Sequence, residues 1–98
     1  MLAFNKKFKD TTINLDGGTF ESCTFENCLL LFSGLMPPTL KNNSFAGCQW
    51  EFAGPAENTL RFLTALHSGG GRELVEKTLE NIKSGAIGRR RDDPVILN

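Results

Sequence analysis

The sequence predicts a mainly β chain with an α cap: a β-solenoid of about two 20-residue coils, closed by two C-terminal helices. Three observations carry this expectation. Large apolar residues recur at every fifth position from Leu15 to Trp50, a 20-residue repeat overlies that period, and the spacing becomes helical after Phe52.

Residues 1–12 come first, with Lys6, Lys7 and Lys9 set around Phe4 and Phe8. The segment is short and lysine-rich, and it is the only cover expected for the start of the stack near Leu15 and Phe20, with Phe4 and Phe8 packing there. Phe4 and Phe8 are therefore candidate interaction residues.

The repeat is expected over residues 13–52. Every fifth residue reads Leu15, Phe20, Phe25, Leu30, Leu35, Leu40, Phe45 and Trp50. Two positions before each stands Ile13, Gly18, Cys23, Cys28, Ser33, Pro38, Asn43 or Cys48, mostly small or compact residues. A period of five fits neither the alternation of a flat strand nor the turn of an α-helix. At the longer spacing, Thr19-Phe20 returns as Thr39-Leu40, and Phe25, Cys28, Leu30 and Phe32 return as Phe45, Cys48, Trp50 and Phe52. Four five-residue sides make a square coil, in which residues 20 apart stack at the β-sheet spacing of about 4.8 Å. Large residues then point inward from each side, and small ones allow the corners.

The run Cys23-Thr24-Phe25-Glu26-Asn27-Cys28-Leu29-Leu30 resembles the pentapeptide-repeat family, whose units carry a small residue, a polar one, Leu or Phe, and two variable polar residues. The resemblance covers residues 13–52 and implies a right-handed quadrilateral β-helix. Ile13, Pro38, Leu29, Leu31 and Phe32 depart from the pattern, and a bulge or loop is expected around Leu35 to Thr39. Some members of that family mimic duplex DNA and bind topoisomerases, which makes such mimicry the alternative function. Those proteins are long and strongly acidic. Here Asp16, Glu21, Glu26 and Glu51 stand against Lys41 alone across 13–52, a net of −3.

A helical hairpin is expected over 55–84. Gly54 and Pro55 open a helix at about 55–67, with Ala56, Leu60, Leu63 and Leu66 on its buried face. Ser68-Gly69-Gly70-Gly71 forms the turn. A second helix from about Arg72 to Lys83 buries Leu74, Val75, Thr78, Leu79 and Ile82, and Gly85 follows its last turn. Repeat arrays expose their end layers unless something covers them, so this hairpin is expected as a lid over Trp50 and Phe52. Phe62 lies off the main stripe and is a candidate for contact with a partner.

Residues 88–98 form a linker and an apolar tail. Arg89-Arg90-Arg91 is offset by Asp92-Asp93, and no aromatic residue accompanies it, so nucleic acid is not the expected partner. Val95, Ile96 and Leu97 are β-prone and apolar, and are expected to dock either on their own body or on a neighbouring molecule.

The chemistry-bearing residues are sparse. Cys23, Cys28 and Cys48 have no second pair with zinc spacing and read as small inward fillers. His67 is the sole histidine and ends the first helix, with no nucleophile nominated beside it. The three-glycine run lacks the lysine of a phosphate loop. No catalytic, cofactor or metal site is therefore expected, and the chain is read as a non-enzyme. An odd number of cysteines, a net charge of zero and the absence of a long apolar run point to a cytoplasmic chain outside the membrane. The expected function is a structural or protein-interaction module forming a homodimer or larger homo-oligomer.

Overall fold

The computed structural model describes residues 1–86. Nine short strands precede two helices: β1 (Leu2–Phe4), β2 (Lys7–Lys9), β3 (Thr12–Asn14), β4 (Thr19–Glu21), β5 (Thr24–Glu26), β6 (Leu29–Phe32), β7 (Thr39–Lys41), β8 (Ser44–Ala46), β9 (Gln49–Phe52), α1 (Gly54–Ser68) and α2 (Arg72–Ser84). The strands form three parallel sheets, ordered β1-β4-β7, β2-β5-β8 and β3-β6-β9. The chain thus visits the three sheets in rotation and makes three passes.

Two expectations are corrected at once. The strands begin at Leu2, not at residue 13, so residues 1–12 belong to the first pass and each sheet is three strands deep, not two. The chain also makes three sheets, where a square coil would make four. The connections returning from the third sheet to the first are loops, Leu15–Gly18 and then Ser33–Pro38.

Register explains both differences. Phe25 pairs with Phe45 and Leu30 with Trp50, as the 20-residue repeat predicts. Between the first and second passes, however, Phe8 faces Phe25 and Ile13 faces Leu30, an offset of 17. Counted from the paired residues Asn14 and Leu31, the first return to the next strand is three residues shorter than the second. Ile13 is consequently a strand-centre residue and not a small corner residue. Leu15 is buried in the corner, donating its N–H to Leu31 O at 2.8 Å. Its repeat-mate Leu35 sits in the longer loop, 74% exposed, and is not an inward residue.

The core is the stack of strand-centre side chains. Ala3, Phe20 and Leu40 form one column, and Ile13 and Leu30 lead to Trp50 in another. The middle column is aromatic: Phe8 stacks on Phe25 at 5.2 Å between ring centroids, and Phe25 on Phe45 at 5.1 Å. Phe20 meets Phe25 edge-on at 5.7 Å, which locks two columns together.

The corners require special backbone. Asn5, Asp10, Ser22, Asn27 and Asn42 each follow a strand with φ between 51° and 57°, and Gly47 does so at 64°. Short polar residues tolerate this left-handed region best after glycine. The return loops are tied together by Asp16, whose Oδ1 accepts the Ser33 N–H at 2.8 Å, and by Gly17, which donates to Met36 O at 3.0 Å.

The helices fall where the sequence places them. Pro55 opens α1, and Gly85 ends α2 in the left-handed conformation, φ 81°. α1 is anchored by its first turn: Ala53 donates to Phe32 O and Ala56 to Ser33 O, both at 3.0 Å. A lid seated squarely on the last pass would bury Trp50. Instead Trp50 is 50% exposed, so the hairpin is fixed beside the open end and leaves much of it uncovered.

Candidate interaction surface

The aromatic column is fully covered only at mid-height. Phe25 is fully buried, while Phe8 below it and Phe45 above it are half-buried. Both ends of the aromatic stack therefore keep an accessible ring edge. Trp50 contacts Phe45 at 5.0 Å between centroids and presents its other side outward. Among the described residues, β7, β8 and β9 are the outermost strands of their sheets.

The hairpin supplies the second apolar surface. Its expected buried faces are largely exposed: Leu60, Leu74, Leu79 and Ile82 all lie open, and Val75 is the sole buried residue of the two helices. The physical reason is geometric. Two helices bury one seam between them, whereas these carry apolar residues over a wider arc than one seam can take. A shallow groove remains between them, lined by Leu60, Leu63, Val75 and Leu79. A second groove lies where α1 leaves the strands, among Phe32, Phe52, Ala56 and Leu60.

The residues singled out from sequence separate into three groups. Phe4, 49% exposed, and Phe62, 64% exposed, point outward and are available for contact. Phe8 is different: it is the lowest ring of the aromatic stack and serves the core first, offering only its outer face. Val95, Ile96 and Leu97 lie outside the described residues, as does the Arg89–Arg91 run. Trp50, Phe52, Leu60 and Ile82 are surface residues that sequence reasoning assigned to the interior. The available signal was the surplus of apolar residues in the hairpin over what one seam can bury.

The polar groups are engaged locally. Cys23 donates its thiol to Ala3 O at 3.4 Å, Cys28 to Glu26 O at 3.4 Å and Cys48 to Phe25 O at 3.4 Å. All three thiols are free and point at backbone carbonyls. His67 Nε2 lies 3.0 Å from Glu76 Oε1 and joins the two helices. That hydrogen bond holds the Glu76 carboxyl below its ordinary range against an opposing desolvation, with lesser help from the nearby His67, Arg72 and Lys83 charges. Among the described residues, no cluster of three or more His, Cys, Asp or Glu side chains is arranged to hold a metal. No described helix is long and apolar enough to cross a membrane.

The arrangement suits docking through apolar surface. No protein-family model, curated protein or solved structure matches this chain.

Proposed function

We propose that this chain is a non-catalytic module that self-associates, built on a short right-handed β-solenoid of the pentapeptide-repeat type. Three in-register passes, the stacked Phe8, Phe25 and Phe45 rings and the left-handed corners support the solenoid reading. Return loops in place of a fourth sheet depart from the family's square cross-section. They leave the stacking of successive passes intact.

One observation carries self-association: a hairpin with a single buried side chain, Val75, and exposed Leu60, Phe62, Leu74, Leu79 and Ile82. Helices of this length owe their stability in proteins to burial of an apolar face. Among the described residues, the body of strands does not provide that cover. A second copy does, because a twofold axis brings identical apolar faces together and completes a four-helix packing. The assembly is a homodimer, or a larger homo-oligomer if the strand ends also meet. A non-catalytic role is supported by the state of the reactive groups: the thiols sit as fillers, and His67 is bonded to Glu76 on the helix surface.

Size-exclusion chromatography with light scattering tests this. The chain should run as a dimer or larger at high micromolar concentration, and Phe62→Glu with Ile82→Glu should shift it towards monomer with loss of helical ellipticity. A clean monomer of the unaltered chain at that concentration would remove the reading.

The alternative, mimicry of DNA towards a topoisomerase, draws on the outward Glu21 and Glu26. Lys7 Nζ stands 3.3 Å from Glu26 Oε1 and weakens that acidic row, and the whole chain has a net charge of zero. No inhibition is expected in a gyrase supercoiling assay at stoichiometric protein.

A further inference from the structure

We infer that Cys28 and Cys48 form a two-sulfur site for a soft monovalent metal ion, copper(I), held between two successive passes of the strands. Only the register of those passes is needed for this, and self-association is not.

Register places the two cysteines one above the other. Leu29 pairs with Gln49, and Gln49 donates its N–H to Cys28 O at 3.0 Å. Cys48 therefore occupies on the third pass the corner that Cys28 occupies on the second. The side chains repeat as well. Cys28 Sγ stands 3.4 Å from Glu26 O, Cys48 Sγ stands 3.6 Å from Ala46 O, and Glu26 and Ala46 are themselves register partners. Each thiol thus takes the same orientation towards the carbonyl two residues before it. Cys48 Sγ also lies 3.4 Å from Phe25 O, on the pass that holds Cys28. Equivalent atoms on neighbouring strands are about 4.8 Å apart, and the two sulfurs inherit that separation.

The separation selects the chemistry. A disulfide needs Cβ atoms about 3.8 Å apart and inclined towards each other, whereas these two side chains project in parallel from successive passes. A bridging metal needs more room. A thiolate bond to a small d10 ion is about 2.3 Å, so a linear sulfur–metal–sulfur unit spans about 4.6 Å. Zinc takes four donors, and among the described residues no cluster of three or more His, Cys, Asp or Glu side chains is placed to supply them. Copper(I) is soft and is satisfied by two thiolates. Cys28 lies in the buried apolar cluster and Cys48 packs against it half-buried, so the corner offers sulfur and apolar surface, with entry at Cys48. Cys23 has no second sulfur at its corner, where Lys6 stands below it and Asn43 above.

On binding, two S–H bonds break and two S–Cu bonds form. Both protons pass to solvent, copper remains in the +1 state, and no electron is transferred.

Competition for copper(I) between the full reduced chain and bicinchoninate, a chromogenic copper(I) chelator, tests the proposal in the absence of oxygen. The unaltered protein and Cys23→Ser should each draw one copper per chain from the chelator. Cys28→Ser and Cys48→Ser should each weaken binding by more than the about 10–100-fold that loss of an outer-shell partner costs. X-ray absorption at the copper edge of the loaded unaltered protein needs no variant, and so is indifferent to any effect of serine on folding. Two sulfur neighbours are expected there. Nitrogen or oxygen neighbours, or a third sulfur, overturn the proposal, as does failure of the unaltered protein to take copper from the chelator. Binding that survives either Cys28→Ser or Cys48→Ser overturns it too. One copper per two chains, lost in Cys48→Ser alone, assigns the metal to a bridge between copies and likewise overturns it.

Discussion

Single residues in this chain answer to backbone geometry as much as to burial. Asn27 turns a corner at φ 51° with a side chain present, a conformation that a β-branched residue resists. Asn27→Val should destabilise the chain by about 1–2 kcal/mol in urea titration, whereas Asn27→Gly should cost far less. Asn43 stands where a small residue is expected and succeeds by bonding. Its Oδ1 accepts the Cys23 N–H at 2.8 Å, and its Nδ2 donates to Phe20 O at 3.0 Å. Asn43→Ala orphans both groups and should cost about 1–3 kcal/mol, read by the same titration. The cysteines differ in access: Cys23 and Cys28 are buried and Cys48 is half-buried. Native alkylation followed by mass spectrometry should modify Cys48 first, with the other two reacting only on unfolding.

At the scale of elements, the strands are too short to be stable alone and depend on their columns. Phe25 is the joint of the aromatic stack, in contact with Phe8, Phe20 and Phe45. Phe25→Ala should cost about 3–5 kcal/mol and lower the midpoint of thermal unfolding accordingly. The hairpin responds to acid. The Glu76 carboxyl is lowered in the folded chain, chiefly by the His67 hydrogen bond, so its stabilisation is complete above the ordinary carboxylate range. It is lost as pH falls through the lowered value, where the folded chain takes up the proton. Helical ellipticity should therefore decline in acid, and Glu76→Gln should flatten that decline. Two α-helices were legible from Pro55, Gly85 and the apolar spacing, because caps and periodicity are local properties. That their apolar faces would stay open was not, because exposure depends on what other elements come near.

For the whole molecule, long-range pairing decided what the local pattern left open. The described chain extends 46 Å along its longest axis, with the hairpin beside the strands and not over them. Small-angle scattering of the unaltered chain should give a radius of gyration clearly larger than the 15.2 Å of one chain. The sequence alone determined the column partners Phe25–Phe45 and Leu30–Trp50, because a five-residue spacing with a 20-residue return admits few other ways of burying those side chains. It also determined the change to helix after Phe52. The first pass is not legible in the sequence because Ala3 is too small to mark a strand centre, and because Leu15 imitates one in the wrong phase. Only the tertiary structure chose the 17-residue offset, turned Leu35 outward and left Trp50 half open. A return loop has no periodicity of its own: its length is set by which strands pair across it, and that pairing is made between residues far apart in the chain.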